Sequence, residues 1–311
     1  MDTKKESTVA VISVLLCNII WGLLPFYWNR LSHVDAITIL SFRIICGAVF
    51  SVFTVIITGL LPDFCALAKD RARMKWLIPA ALAVTVNWGT YIYAMVSENV
   101  MQASLGYYLE PLVIAAFGML FFHERCNRWE WIALAFAAAG ALYSTVMYGK
   151  LPAITLVLAL SFSAYGAFKR GAGVSGILSI AMETTVLLPL AIGYLLLKPG
   201  VGAQMAVWDG LTWFLLALAG PVTAIPLMLY TKGVNGLSLI TMGFMQIVSP
   251  TLILLSGLML GERPTTTDVV TFLAIWVGFA WFLYGQKRRH RVQLIASCEP
   301  EDLNTLHGSD F

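Results

Sequence analysis

Charge is what this sequence has least of. Only 12% of its 311 residues are Asp, Glu, Lys or Arg, against roughly 25% in an ordinary soluble chain. That is too few to cover a water-facing surface of this size, and 59% of the residues are apolar. With a mean hydropathy of +0.80, the chain suits surroundings that are themselves apolar, and a soluble fold is excluded. Cysteine and histidine are scarce too. Cys17, Cys46, Cys65, Cys126 and Cys298 form no CxxC pair, and the four histidines show no metal-ligand spacing. Neither a disulfide framework nor a metal site is indicated. Walker A, HExxH and GxSxG sequences are all missing, so no ATPase, no hydrolytic centre and no cofactor are expected. The net charge of +3 is small and its basic residues dispersed, which argues against a nucleic-acid partner.

What is present is a succession of long apolar runs. About 20 such residues cross about 30 Å of hydrocarbon as a helix. Ten segments qualify: 8–28, 36–60, 76–96, 101–121, 129–147, 152–169, 177–197, 211–231, 238–260 and 268–285. Leu61-Pro62-Asp63, Gly149-Lys150-Leu151-Pro152 and Lys198-Pro199-Gly200 read as turns between them. With the N-terminus in the cytoplasm, 15 Lys and Arg, Lys169 and Arg170 among them, fall on the cytoplasmic side and 4 on the other. Only Arg43 is left within a span. That asymmetry places both termini in the cytoplasm and requires an even number of spans. Residues 286–311 read as a polar cytoplasmic tail.

Two stretches of the chain are alike. Gly106-Tyr107-Tyr108-Leu109-Glu110-Pro111 leads through an apolar run to His123-Glu124-Arg125. At an offset of 137 to 139 residues, Gly243-Phe244 through Pro250 leads likewise to Gly261-Glu262-Arg263. A duplication with five spans per half inserts the second half upside down. The expected architecture is therefore an all-α integral membrane protein of ten transmembrane helices, built as two inverted-topology five-helix repeats. The first repeat would occupy residues 1–147 and the second 148–285. Secondary transporters are commonly built this way, with a binding site near the bilayer midplane beside interrupted helices.

Three ionisable residues fall deep in spans: Arg43, Glu110 and Glu183. Each would cost about 2.5–3.5 kcal/mol facing lipid on insertion scales, so each is expected to face a partner or a wet cavity. Arg43 and Glu183 occupy almost equivalent places in the two halves, and a cross-half pair follows. It either fixes helix register or breaks and re-forms as access alternates. Glu110 precedes Pro111, which frees a backbone carbonyl one turn back; it is a proton or cation site, or a neutral carboxyl capping that carbonyl. Gln102, Gly106 and Glu110 share one helix face. Further polar or adaptable candidates for a substrate cavity are Asn18, Asn87, Tyr91, Tyr107, Gln246 and Ser249, with Pro111 and Pro250 as helix-break or gating positions.

The chain resembles the drug/metabolite transporter superfamily, and within it the RarD-like permeases of the EamA group. The resemblance is carried by Ala103-Ser104-Leu105-Gly106-Tyr107-Tyr108, Pro111-Leu112-Val113, His123-Glu124-Arg125, Asn87-Trp88, Ser161 to Gly166, Glu183-Thr184, Leu187-Leu188-Pro189 and Phe272 to Trp276. It implies a multi-pass protein of the bacterial inner membrane. RarD-like proteins are named for a link to chloramphenicol. The group shows an asparagine before the mid-span proline of span four, where this chain has Glu110. The expected activity is secondary transport of a small organic metabolite or drug by alternating access, in contact with lipid and coupled to protons, from a monomer or homodimer. The competing readings are a channel or structural membrane subunit and, further off, an intramembrane enzyme.

Overall fold

Hydrocarbon offers no water to satisfy peptide groups, so each apolar run closes its hydrogen bonds within itself and becomes a helix. The computed structural model describes residues 2–97, 100–149, 153–261 and 263–298, and every regular element among them is helical. In chain order these are α1 (Asp2–Asn29), α2 (Ala36–Ile57), α3 (Leu61–Lys69), α4 (Arg71–Val96), α5 (Val100–Phe122), α6 (Arg128–Tyr148) and α7 (Ala153–Ala172). There follow α8 (Gly176–Leu197), α9 (Val201–Ala206), α10 (Gly210–Gly236), α11 (Leu239–Met245), α12 (Val248–Met259) and α13 (Thr266–Cys298). Among the described residues nine spans are long and apolar enough to cross a membrane, α11 and α12 together making one. The expected sixth span falls on α7, which is not one of the nine, because Lys169 and Arg170 stand in its last turn.

Three local expectations need correction. Leu61-Pro62-Asp63 is not a loop but the start of α3. Proline costs nothing in a first turn, and Asp63 there meets the positive end of the helix dipole. The span expected at 238–260 lies at Leu239–Met259 and is interrupted. Pro250 has no N–H to give the Gln246 carbonyl, so α12 begins afresh at Val248 after a turn at Gln246–Ile247. Helix α5, by contrast, runs unbroken through Pro111, so only one of the two candidate prolines breaks its span. Finally, α13 continues to Cys298, and the first part of the expected tail extends the last helix.

The most extensive helix contacts all join a helix of the first 148 residues to one that follows them. Helix α1 packs on α10 and α12, α2 on α8 and α10, α4 and α5 both on α7, and α6 on α13. At the α2–α10 crossing the backbones nearly touch: a Cβ on Gly220 would lie 2.4 Å from the Cys46 carbonyl oxygen. The outside of the bundle carries Leu120, Phe121, Leu142, Val146, Leu190 and Leu196, while Arg43, Glu110, Lys169 and Glu183 are buried. This inverts the soluble pattern, as an apolar solvent requires.

Candidate functional site

Polar side chains placed in apolar helices must meet one another or line a space, and here they do both. A small cavity of about 40 Å³ lies between the halves. Its wall includes Asn18, Trp21 and Leu24 of α1, Arg43 of α2, Asn87, Trp88 and Tyr91 of α4, and Tyr107 and Glu110 of α5. Phe162 of α7, the turn residue Gln246, and Ser249, Pro250 and Ile253 of α12 complete it. The broken span therefore supplies the cavity with its break. Rings meet across the space: Trp21 to Phe162 at 5.3 Å, Tyr107 to Phe162 at 6.2 Å and Tyr91 to Tyr107 at 5.9 Å.

The decisive feature is what these groups leave unbonded. Asn18 Oδ1, Arg43 Nη1, Tyr91 OH, Glu110 Oε1 and Gln246 Nε2 are buried polar atoms without a hydrogen-bond partner among the described residues, and all five residues line this one cavity. Such atoms are rare in folded proteins, and each costs about 1–3 kcal/mol. Their convergence marks a space shaped for polar groups the protein does not itself supply. Asn87 is different. Its amide donates to the Leu158 carbonyl and Ser161 Oγ, both at 3.2 Å, and its Oδ1 accepts from Tyr107 OH at 3.1 Å. It joins α4 to α7 and fixes the Tyr107 ring.

Arg43 and Glu183 do not pair. Arg43 Nε donates to Thr223 Oγ1 at 2.8 Å, and its guanidinium lies 4.4 Å from the Trp88 ring centre and 5.2 Å from that of Trp28. Glu183 belongs to a separate buried cluster. Lys169 Nζ donates to its Oε1 at 2.7 Å and to Ser179 Oγ at 2.6 Å, Ser179 Oγ donates to Oε1 at 2.6 Å, and Tyr165 OH donates to Oε2 at 3.1 Å. Lys169 is thus no loop residue: its side chain is 1% exposed, and Arg43 is not the only cation within the bundle. An aromatic layer of Trp21, Phe162, Tyr165 and Tyr230 stands between cavity and cluster, with Tyr165 and Tyr230 stacked at 5.9 Å. Gly106 faces α7, where a Cβ would meet Thr155 and Leu158 at 3.1 Å. The Gln102 side chain lies outside the described residues, and Pro111 is absent from the cavity wall.

Comparison with known proteins gives the family. The EamA-like transporter family matches residues 8–146. The uncharacterized transporter YojE of Bacillus subtilis is 35% identical, covering 93% of this chain and 97% of its own. The chain belongs to the EamA-like transporter family. Protein RarD of Escherichia coli K12 is 34% identical, over 93% of this chain and 99% of that one, so within the drug/metabolite transporter superfamily the protein is a RarD-like permease. It is a multi-pass protein of the bacterial inner membrane, in contact with lipid and a small-molecule substrate. A solved structure with a TM-score of 0.64 and 16% identity, covering 88% of this chain and 97% of its own, shares the fold.

At one end of the permease's cavity-forming helices lies a contact that the sequence did not reveal. Helix α5 ends at His123, whose φ of 53° turns the chain back, and Glu124 then lies over Gly118, where any Cβ would stand 2.8 Å from its Oε2. The Glu124 carboxylate accepts the backbone N–H of Leu239 at 2.9 Å and of Ile240 at 3.2 Å, and pairs with Arg170 at 3.5 Å. A carboxylate from the first half so caps the first part of the broken span, where free N–H groups and the helix dipole favour negative charge. Glu124→Ala is expected to lower stability by about 1–2 kcal/mol, read as a lower melting temperature in detergent, with Glu124→Gln falling between. A Glu124→Ala protein melting with the wild type would show that the cap holds nothing.

At the opposite side Lys198 Nζ reaches Asp35 Oδ2 at 2.7 Å, with Tyr194 OH at 3.1 Å. Partial burial pushes the Asp35 carboxyl up, but these bonds and those from Thr38 outweigh it and bring it to about 2. Two cross-half contacts, one near each end of the bundle, thus flank the central cavity.

Proposed function

We propose that the permease carries a small organic molecule by alternating access through this cavity, with protons as the coupling ion. The observation that carries the reading is the convergence of five unpartnered buried polar atoms on one cavity between the halves. The packing supports two inverted five-helix repeats, 1–147 and 148–285, if α7 is counted as the tenth span. Exchange α1 with α7, α2 with α8, α4 with α10, α5 with α11–α12, and α6 with α13. The contact of α4 with α7 then becomes that of α10 with α1, and α5 with α7 becomes α11–α12 with α1, while α2–α8 and α6–α13 map onto themselves. Such symmetry gives one fold two equivalent ways to open. The distribution of basic residues supports both termini in the cytoplasm. One chain holds the whole cavity, so a monomer suffices for transport, whether or not two copies associate.

Glu110 is the proposed proton carrier, since its carboxyl lies on the cavity wall with one oxygen unbonded. The test is flux into proteoliposomes, with chloramphenicol among the solutes because of the RarD-like resemblance. A carrier shows saturable flux that accelerates under a pH gradient; flux that rises without saturation would favour the channel reading. Glu110→Gln is expected to keep solute exchange at equal pH but to lose the acceleration by the gradient. If the variant still responds to the gradient as the wild type does, the proton travels elsewhere.

A further inference from the structure

The two buried cations of the described residues are neutralised differently. Lys169 has a carboxylate at 2.7 Å. Arg43, itself 3% exposed, has none within 4 Å among the described residues; its neighbours are a hydroxyl and two indole rings. Rings attract a desolvated guanidinium, but they accept no in-plane hydrogen bond, and Nη1 remains without one among the described residues. A planar fork of this kind matches a carboxylate edge to edge, and the charge-assisted bonds it forms are about twice as strong as neutral ones. Five rings, Trp21, Trp88, Tyr91, Tyr107 and Phe162, give the wall flat surfaces beside the amides of Asn18, Asn87 and Gln246. Among the lining residues Arg43 is the one cation, so the wall offers a partner to a single negative charge.

We infer that the permeated molecule is a small organic monoanion with a flat, aromatic body, whose carboxylate accepts from the free Nη1 of Arg43. This rests on the transport reading of the cavity and adds to it the chemical class of the cargo. Neutral and cationic molecules of the same shape leave the guanidinium without a counter-charge, and the second charge of a dianion finds no cation on the wall. Selection by charge follows from the site's own missing counter-ion.

Trp21 and Trp88 line the cavity, so their fluorescence reports its occupancy in the purified protein. The probes are benzoate, phenylacetate, 3-phenylpropionate and 2-naphthoate, each beside its neutral amide and the corresponding amine. At least one carboxylate is expected to quench saturably and raise the melting temperature. Its amide and amine should bind at least about tenfold more weakly, the scale of a hydrogen bond to a charged group. Arg43→Gln should reduce the carboxylate to the level of its amide, and Arg43→Lys should fall between. An amide or amine that binds as tightly as its carboxylate overturns the inference, as does a series in which no carboxylate binds, or a folded Arg43→Gln protein of undiminished affinity. Exchange of the labelled carboxylate across proteoliposomes separates the two levels. Binding without exchange removes the transport reading and leaves the anion site. Saturable exchange of a neutral solute with no carboxylate binding does the reverse.

Discussion

Replacing Glu183 with alanine is expected to destabilise the protein by about 3–5 kcal/mol, the cost of stranding one partner of a buried ion pair. The Lys169 and Glu183 side chains are 1% and 0% exposed. Without the carboxylate, the ammonium keeps Ser179 Oγ and the Tyr165 ring but no counter-charge, and the Tyr165 hydroxyl loses its acceptor. The measurement is denaturant or thermal unfolding in detergent. The double replacement Lys169→Met, Glu183→Leu should recover most of the loss, because two apolar side chains of similar volume remove the desolvation cost together with the attraction. A Glu183→Ala protein as stable as the wild type would show that the pair does not hold α7 to α8. A stable double variant that no longer transports would give the pair a part in the transport cycle as well.

Gly220→Ala is expected to cost about 1–3 kcal/mol through overpacking, which reverses the usual sign. A glycine inside a helix is ordinarily about 0.5–1 kcal/mol worse than alanine. Here the added methyl would lie 2.4 Å from the Cys46 carbonyl oxygen and 2.7 Å from its carbon, and a backbone peptide has no rotamer into which to retreat. The crossing of α2 and α10 must open, carrying with it the Arg43 to Thr223 hydrogen bond one turn along. Gly193 of α8 is the control, since nothing lies within 4 Å of its would-be Cβ; Gly193→Ala should be neutral or stabilising. Equal melting temperatures for the two variants would show that the helices do not approach so closely.

The sequence revealed the cavity better than the partners within it. Asn18, Arg43, Asn87, Tyr91, Tyr107, Glu110, Gln246, Ser249 and Pro250 were visible as polar, aromatic or helix-breaking residues inside apolar runs, and all line one space. Membrane physics makes such residues conspicuous because each must be satisfied. Lys169 was hidden for the opposite reason. Next to Arg170 at a helix end it looked like part of a solvated charge run, yet it continues the buried face of Phe162, Tyr165 and Gly166 at helical spacing. Extending that stripe by one turn would have found it, and with it the partner of Glu183. The expected pairing of Arg43 with Glu183 came from the symmetry of the repeat. Side chains pair by reach, and the reach here lies within the second half, from α7 to α8. Pro111 and Pro250 make the same point: equivalent positions need not break equivalent helices, since only the second proline begins a new one.

The interleaving of the two halves has a consequence for how the chain is made. Helices α1, α2, α4, α5 and α6 leave the ribosome first, and their principal packing surfaces are on helices not yet synthesised. At about 5–20 residues per second, the first half waits on the order of ten to thirty seconds with Arg43 and Glu110 in the bilayer and no bundle around them. Biogenesis therefore has to bridge an interval in which the most polar faces of the protein are the ones without a home. Wherever the insertion machinery shelters half-made membrane proteins, this chain is a client by construction.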